Sequence, residues 1–325
     1  MKVFRFFLLW LIFIGAAPAQ PETPLRPASE PIQPLEAPHE DAALVALGER
    51  LFSDVRLSGN DTVSCAHCHP LAIGGADRLP RSVGMAGRQG LFNAPTVYDT
   101  AGYLAYFWNG RAPSLEALIR HGPLQTFHEM DSSWPAVVAK LRRDADLVGD
   151  FGRVFPDGLT ADNLVTALAA FVRSLVTLDA PFDRWLRGDE KALSERQLRG
   201  YRLFKSRGCI SCHQGRAVGG NLFAPLGVMG DYFADHGGDP RADAGRQAVT
   251  GREEDRHLFR VPSLRLAALT APYFHDGQVK TLEEAVRLMG RYQLGRELPA
   301  AEVEAIVAFL RSLVGRHPAL EVEVP

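Results

Sequence analysis

The chain has 325 residues, of which 46% are hydrophobic and 23% are charged, and this length and composition suit two folded domains and exclude wholesale disorder. Its net charge of −2 argues against a nucleic-acid partner, because such proteins normally carry a basic surface stripe. Four cysteines are too few to cross-link a chain of this length as a disulfide scaffold.

Residues 1–19 have the three parts of a secretory signal peptide. Lys2 and Arg5 supply the positive start, 6–14 form an apolar run, and 17–19 provide small residues for cleavage. An uncleaved membrane anchor is the alternative, but the run falls short of the roughly 20 residues that span a bilayer. We therefore expect export, and the sequence places the mature protein in the periplasm.

Proline is dense in the segment that follows, residues 20–40. Because proline fixes φ and lacks a backbone N–H, this composition predicts an extended tether rather than a folded segment. Folded structure is expected to begin near Asp41.

Two C-x-x-C-H motifs use all four cysteines of the chain. The pattern is typical of c-type haem attachment, in which two thiols form thioethers with the haem and the adjacent histidine ligates the iron. A zinc site would require both cysteine pairs to converge, and a thioredoxin-like motif would not need the following histidine twice. The sequence therefore predicts two covalent haems, held by Cys65, Cys68 and His69 and by Cys209, Cys212 and His213.

Sequence blocks around the first motif recur in the same order around the second, which indicates a duplicated domain. We expect two tandem cytochrome c-like haem domains of mainly α structure, residues 41–178 and 179–325, with the last residues packing back on the first domain. The matching blocks are 48–52 with 200–204, 94–97 with 261–264, 107–110 with 274–277, 114–116 with 281–283, and 170–176 with 308–314.

Apolar residues recur at helical spacing in the last block of each half. Ser194 with Gln197 and Thr281 with Glu284 have the spacing of capping boxes and predict two helix starts. The predicted buried faces contain Leu164, Leu168, Phe171 and Leu175 in the first half, and Val303, Ile306, Val307, Leu310 and Leu313 in the second.

The halves differ at the position that could supply a second axial ligand to iron. Met289 lies inside the amphipathic helix predicted to begin at Thr281, as an axial ligand would, although a space-filling core methionine is the commoner role. The equivalent position in the first half is Gly122. The first iron therefore finds another ligand or stays open to a small oxidant.

Three titratable side chains lie at the end of the segment 111–122 or shortly after it: His121, His128 and Glu129. A carboxylate over an open iron could move protons during cleavage of an O–O bond. An ordinary surface position is the alternative for all three.

With these motifs the chain resembles the bacterial dihaem cytochrome c peroxidase family, which includes MauG-type proteins. The resemblance covers residues 41–317 and rests on 51–58, 88–97, 107–112 and 272–291 together with the haem motifs. It implies a peroxidatic, low-potential haem in the first domain and a high-potential, electron-transfer haem in the second.

The resemblance also implies roles for single residues. His69 would hold the peroxidatic haem, while His213 and Met289 would hold the haem at which electrons enter. Trp108 would relay electrons between the haems, and Glu129 would be the acid and base beside the peroxide.

A structural calcium ion between the domains is implied as well. Its ligands would be the Asn93 side chain and the carbonyl oxygens of Thr270 and Pro272, a set of oxygens that suits calcium.

Two departures from the family pattern bear on the first haem. Met85 stands where the family often has a removable distal histidine, and it either binds iron weakly or leaves it open. Leu118 lies near the position of a glutamine in the peroxide pocket. In the second domain, Met289 occupies a position where the MauG branch has tyrosine, and a thioether favours the ferrous state that an electron-accepting peroxidase requires.

Three functions are compatible with these features. The leading hypothesis is an enzyme that reduces hydrogen peroxide to water with electrons from a small cytochrome c or a cupredoxin. A second is peroxide-dependent oxidation of a partner protein in the manner of MauG, and a third is a dihaem electron carrier or redox sensor without turnover. Dimers are common among relatives, so a homodimer is also expected by analogy.

Overall fold

Helices carry most of the regular structure, which confirms the mainly α fold. The computed structural model describes residues 30–321. The predicted signal peptide, 1–19, lies outside the described residues, as do residues 20–29 of the proline-rich segment. Within 30–321, every helix is too short or too polar to cross a membrane.

The first half begins at a capped helix. The Asp41 carboxylate accepts hydrogen bonds from the backbone N–H groups of Ala43 at 2.8 Å and Leu44 at 3.1 Å, so helical structure starts beside the predicted position. The helices of this half are α1 (Ala42–Phe52), α2 (Cys65–Cys68), α3 (Leu115–His121), α4 (Trp134–Leu141), α5 (Ala145–Val154) and α6 (Ala161–Ser174).

The second half has the same core helices with a small insertion of strands. Its elements are α7 (Pro181–Leu186), α8 (Glu195–Ser206), strand β1 (Phe223–Pro225), α9 (Tyr232–His236), α10 (Pro240–Asp243), α11 (Gln247–Thr250), strand β2 (Leu258–Arg260), α12 (Leu282–Leu288) and α13 (Ala300–Arg311). The strands pair antiparallel, with Phe223 opposite Arg260. A π-helical turn, Met289–Gln293, follows α12 directly.

The predicted capping residues lie at the starts of α8 and α12. Ser194 and Gln197 form a complete capping box, because the hydroxyl accepts from the Gln197 N–H at 3.3 Å and the Gln197 side chain accepts from the Ser194 N–H at 2.8 Å. At α12 the Thr281 hydroxyl accepts from the Glu284 N–H at 3.2 Å, which is one half of the predicted pair of bonds.

A glycine permits the closest helix crossing in each half. A Cβ atom on Gly48 of α1 would lie 2.1 Å from the Ala167 carbonyl oxygen of α6, and one on Gly200 of α8 would lie 1.8 Å from the Ala305 carbonyl oxygen of α13. Gly48 and Gly200 are equivalent in the repeat. The two halves therefore build the same crossing from the same residue.

Two clusters of buried apolar side chains form the cores. The first is drawn mainly from residues 47–175 and the second mainly from 182–313. The helix faces predicted from periodicity lie inside them, with Leu164 in the first cluster and Ile306 in the second.

The halves are joined by a reciprocal pair of hydrogen bonds. The backbone N–H of Asn93 donates to the His275 carbonyl oxygen at 2.8 Å, and that of Arg260 donates to the Trp108 carbonyl oxygen at 2.9 Å. Asn93 is the repeat equivalent of Arg260, and Trp108 is the equivalent of His275. The contact is therefore pseudo-symmetric, each half using the same positions to bind the other.

The described part of the proline-rich segment is extended, as expected, but it is anchored rather than free. Ile32 is 1% exposed and belongs to the second core cluster. The carbonyl oxygens of Pro31 and Gln33 accept from Gly215 and Arg265. The segment therefore packs on the half to which it is not adjacent in sequence, because its apolar side chains are buried there.

The C-terminal end of the described chain packs on the first half. Val314 belongs to the first core cluster and Leu320 packs against it, while the Glu321 N–H donates to the Ala72 carbonyl oxygen at 3.0 Å. Each end of the described chain thus covers the turn that follows the C-x-x-C-H motif of the opposite half.

Candidate functional site: two cavities with a common wall

A mostly apolar cavity of about 470 Å³ lies in the first half and contains the first motif in its wall. The short helix α2 carries Cys65 and Cys68 on one turn, and His69 follows as its C-terminal cap. All three residues line the cavity. The spacing predicted to present two sulfurs and one imidazole to a single porphyrin is therefore realised in one wall.

A second cavity, of about 520 Å³, contains Cys209, Cys212 and His213. Here the motif lies on a short 3₁₀ turn, Cys209–Ser211. The lining is again mainly apolar. Each half thus pairs one motif with one cavity.

Both motif histidines are held in one orientation by the backbone. Nδ1 of His69 lies 3.0 Å from the Gly75 carbonyl oxygen, and Nδ1 of His213 lies 3.3 Å from the Val218 carbonyl oxygen. A carbonyl oxygen only accepts, so Nδ1 carries the proton and Nε2 keeps its lone pair. Burial lowers the pKa of His69, and it lowers that of His213 to about 4. Neutral imidazoles with a free Nε2 are suited to ligate iron.

The four thiols are held in their protonated form. Burial raises the pKa of Cys65 to about 12 and those of Cys68 and Cys209 to about 11, and it also raises that of Cys212. Apolar cavities with paired thiols at one wall and a free imidazole nitrogen fit a covalently attached porphyrin, whose faces are apolar.

Met289 lines the second cavity together with His213. It lies in the helical run that begins after Thr281, at the junction where α12 passes into the π-helical turn. The extra residue of a π turn re-aims the chain, and such turns occur frequently at functional sites. The equivalent Gly122 ends α3, where its N–H donates to the Leu118 carbonyl oxygen at 2.8 Å.

Polar side chains gather in the wall of the first cavity. Glu129, His128 and Arg111 all line it, and so does Leu118. Burial raises the pKa of the Glu129 carboxyl, while the positive charge of Arg111 acts in the opposite direction. His121, which the sequence grouped with them, does not line this cavity.

Arg111 is a residue that sequence reasoning did not single out. Its guanidinium lies over the Phe107 ring, 3.3 Å from the ring centroid. The repeat contained a signal for it, because the equivalent position in the second half is Gln278. Because the second half has a neutral glutamine at this position, the charge of Arg111 distinguishes the first cavity from the second and indicates that the first has a different chemical role.

Met85 does not line the first cavity. It belongs to the first core cluster and is 9% exposed, and a Cβ atom on Gly59 would lie 3.5 Å from its sulfur. Its backbone N–H donates to the Glu129 carbonyl oxygen at 2.8 Å. The residue therefore supports the Glu129 loop through its backbone.

The two cavities share part of their walls. Trp108 lines both, is 9% exposed, and donates from its indole N–H to the Asn93 carbonyl oxygen at 2.9 Å. The other shared residues are Asn93, Ala94, Pro95, Thr96, Tyr103 and Arg260. Trp108 and Tyr103 are thus the two aromatic side chains that line both cavities.

The predicted calcium ligands Asn93, Thr270 and Pro272 all line the second cavity. Of the three, Asn93 also lies in the shared wall. The Asn93 side-chain N–H₂ donates to the Leu79 carbonyl oxygen at 2.9 Å, which leaves its amide oxygen free. Amide and carbonyl oxygens are donors of the kind that calcium accepts, so the residues present are compatible with the predicted ion.

Comparison with known proteins agrees with this geometry. Residues 42–191 match the family model described as di-haem cytochrome c peroxidase. The cytochrome c peroxidase Ccp of Escherichia coli is 46% identical over 288 residues, covering 88% of this chain and 62% of that protein. The chain thus spans less than two thirds of that relative's length.

Two further proteins are matched over most of both chains. The cytochrome c551 peroxidase of Nitrosomonas europaea is 44% identical over 293 residues, covering 90% of this chain and 86% of that protein. A solved structure of a MauG-like protein associated with microbial copper homeostasis superposes with a TM-score of 0.77 at 29% identity, covering 88% of this chain and 96% of that one. The chain therefore belongs to the di-haem cytochrome c peroxidase family.

Proposed function

We propose that the protein is a periplasmic dihaem c-type peroxidase, which reduces hydrogen peroxide to water with two electrons from a small cytochrome c or a cupredoxin. The observation that carries the proposal is the asymmetry of the cavities. The Glu129 carboxylate lines the first cavity, whereas the lining of the second contains no Asp or Glu among the described residues. Met289 lines the second cavity, and its repeat equivalent in the first half is Gly122. The relatives named cytochrome c peroxidases support the same activity.

The residues of each motif would hold one haem. Cys65 and Cys68 attach the first and Cys209 and Cys212 the second, with the adjacent histidines as iron ligands. When bound, each haem supplies an iron that binds ligands and exchanges electrons. The hydrogen bonds to Nδ1 keep each imidazole in the tautomer that can ligate.

Glu129 acts as the general base and then the general acid in the first cavity. Reduction of one hydrogen peroxide consumes two protons and two electrons and forms two molecules of water. The Glu129 carboxylate takes a proton from one peroxide oxygen and delivers it to the other. Burial helps the carboxyl hold that proton, the nearby Arg111 charge helps it release the proton, and Arg111 also stabilises negative charge that develops on the departing oxygen.

Trp108 and Met289 would support electron transfer from the donor to the first cavity. Met289 in the second cavity stabilises the reduced state of the group at which the donor delivers electrons. Trp108, in the common wall, offers the aromatic path from the second cavity to the first. The Asn93, Thr270 and Pro272 oxygens would bind a structural calcium beside that path.

The test is Glu129→Gln, measured as peroxide-dependent oxidation of reduced cytochrome c by the holoprotein. We expect kcat to fall by roughly 10²–10⁴-fold, the typical contribution of a positioned acid or base, with two haems still bound. Gln125→Ala is the matched control, because Gln125 is an exposed residue of the same loop and this variant should turn over like the wild type. Wild-type turnover in Glu129→Gln would refute the assigned role.

A second candidate function is oxidation of a partner protein, as in MauG-type proteins. The placement of Met85 outside the first cavity favours it, because Met85 was the predicted distal ligand and an iron open on that side is a MauG trait. The two functions are separated by what peroxide consumes. The leading proposal requires stoichiometric oxidation of ferrocytochrome c or a reduced cupredoxin, two equivalents for each peroxide.

A further inference from the structure

Arg260 is a buried cation without an acidic partner. It is 3% exposed, and among residues 30–321 no Asp or Glu forms an ion pair with it. The contrast is Arg265, 1% exposed, whose guanidinium makes two hydrogen bonds to the Asp183 carboxylate at 2.8 and 2.9 Å. A buried charge that is not paired is expensive, so Arg260 calls for a partner of another kind.

The contacts that Arg260 does make are weak and neutral. Its Nε and Nη1 donate to the carbonyl oxygens of Phe107 and Val261, each at 3.4 Å. Its guanidinium lies 4.5 Å from the centroid of the Tyr103 ring. Burial lowers its pKa, and hydrogen bonds of this length do not replace the lost hydration of a guanidinium.

The position of Arg260 identifies the partner. The residue ends β2, and its backbone N–H is bonded to Trp108, which fixes its place in the wall that both cavities share. Whatever neutralises the guanidinium must therefore enter from one cavity or from both. A haem carries two propionate carboxylates at one edge, and a guanidinium binds carboxylates with paired, charge-assisted hydrogen bonds.

The repeat has a neutral residue at the position equivalent to Arg260. Asn93, the predicted calcium ligand, is the equivalent of Arg260 and lies in the same shared wall. Duplication has thus left a guanidinium at one position of the repeat and a neutral amide at the other. Of this pair, Arg260 provides the positive charge in the shared wall.

We infer that Arg260 binds haem carboxylates in the wall between the two cavities, and that its charge acts on both haems. The inference rests on the proposed binding of two haems. A fixed positive charge near an iron centre favours the reduced state. Loss of that charge is therefore expected to lower both reduction potentials.

The test is Arg260→Gln in the holoprotein, with midpoint potentials of both haems measured by spectroelectrochemical titration. We expect the oxidised state of both haems to be favoured by about tenfold, which corresponds to about 59 mV for one electron. The propionate bending modes in the resonance Raman spectrum should change as well. Arg246→Gln is the matched control, because Arg246 lies over the Phe223 ring beside β2, 4.2 Å from its centroid, and lines neither cavity.

Haem content separates the outcomes. Two haems per chain with both potentials and Raman modes unchanged from wild type would overturn the inference while leaving the proposed function intact. Fewer than two covalent haems in the wild-type protein would overturn the proposed function itself. If Arg260→Gln fails to bind haem, Arg260→Lys is the variant that tests the inference. Altered propionate modes in this variant would support it, because lysine lacks the paired donors of a guanidinium. Unchanged propionate modes would refute it.

Discussion

Burial changes the chemistry of single carboxylates in this chain. The Glu129 carboxyl lies in a cavity wall, where its raised pKa is set against the nearby charge of Arg111. Asp99 is 2% exposed, and burial raises its pKa to about 6, although the backbone N–H and the hydroxyl of Thr177 both donate to it, at 2.7 and 2.6 Å. Sequence alone places neither group in its surroundings.

Asp99 predicts a dependence of stability on pH. Its pKa is higher in the folded protein than the ordinary 3.8, so the folded state binds the proton more tightly and the contribution of Asp99 to stability is lost as pH rises from about 4 through about 6. Asp99→Asn removes this titration. We expect the free energy of unfolding of the variant, relative to wild type, to rise by up to about 3 kcal/mol between pH 4 and pH 7.

The measurement is denaturant unfolding of both proteins across that pH range. Comparing the two proteins cancels the titration of other groups. The exposed Asp189→Asn serves as the control. A difference between Asp99→Asn and wild type that stays constant from pH 4 to pH 7 would contradict the prediction.

At the level of elements, close helix crossings hold each half together. α1 crosses α6 where Gly48 meets the Ala167 carbonyl oxygen, and α8 crosses α13 at the equivalent Gly200. Alanine is the better helix former in isolation, so the choice of glycine reflects packing. The repeat kept this residue in both copies because both crossings need it.

Gly48→Ala is expected to destabilise the protein by about 1–3 kcal/mol, because the added methyl overpacks the crossing. Gly152→Ala in α5 is the matched control: no atom lies within 4 Å of its added Cβ, and the gain in helix propensity should stabilise the protein by up to about 1 kcal/mol. Thermal unfolding of both variants and of the wild type measures the two changes in stability. Equal effects of the two substitutions would show that the crossing tolerates a side chain.

For the whole molecule, the ends of the described chain bind the halves to each other. Residues 30–36 pack on the second half and 314–321 on the first. The ion pair of Arg265 with Asp183 is fully buried, and it also binds the N-terminal segment, because Arg265 donates to Gln33 and Asp183 accepts from Leu35. The core of the second half therefore includes residues that precede the first half, and we expect its stability to depend on them.

Ile32→Ala tests this dependence. Removing a fully buried side chain should cost about 2–5 kcal/mol, and the loss should appear as faster hydrogen exchange in α8 and α13 of the second half. Gln33→Ala is the control, because that side chain is exposed while its backbone bond is retained. Faster exchange confined to residues 30–40 would show that the segment is only a surface attachment.

The sequence by itself determined the parts that are local: the two C-x-x-C-H motifs, the register of the repeat, the apolar helix faces, the start of folded structure near Asp41 and the capping box at Ser194. These depend on spacing along the chain, which a helix or turn converts directly into geometry. Periodicity placed Met289 in a helix, but the π turn that ends α12 is a packing feature and leaves no such pattern.

Only the tertiary structure decided which side chains face a cavity. The sequence assigned both Met85 and the segment that contains Arg111 to the surroundings of the first haem, yet Arg111 lines the first cavity and Met85 is buried in the first core cluster without lining it. Likewise, Trp108 and Arg260 lie in one shared wall although they come from different halves of the chain. Spacing cannot settle such questions, because the packing of one half against the other determines which face of a loop or strand meets the cavity.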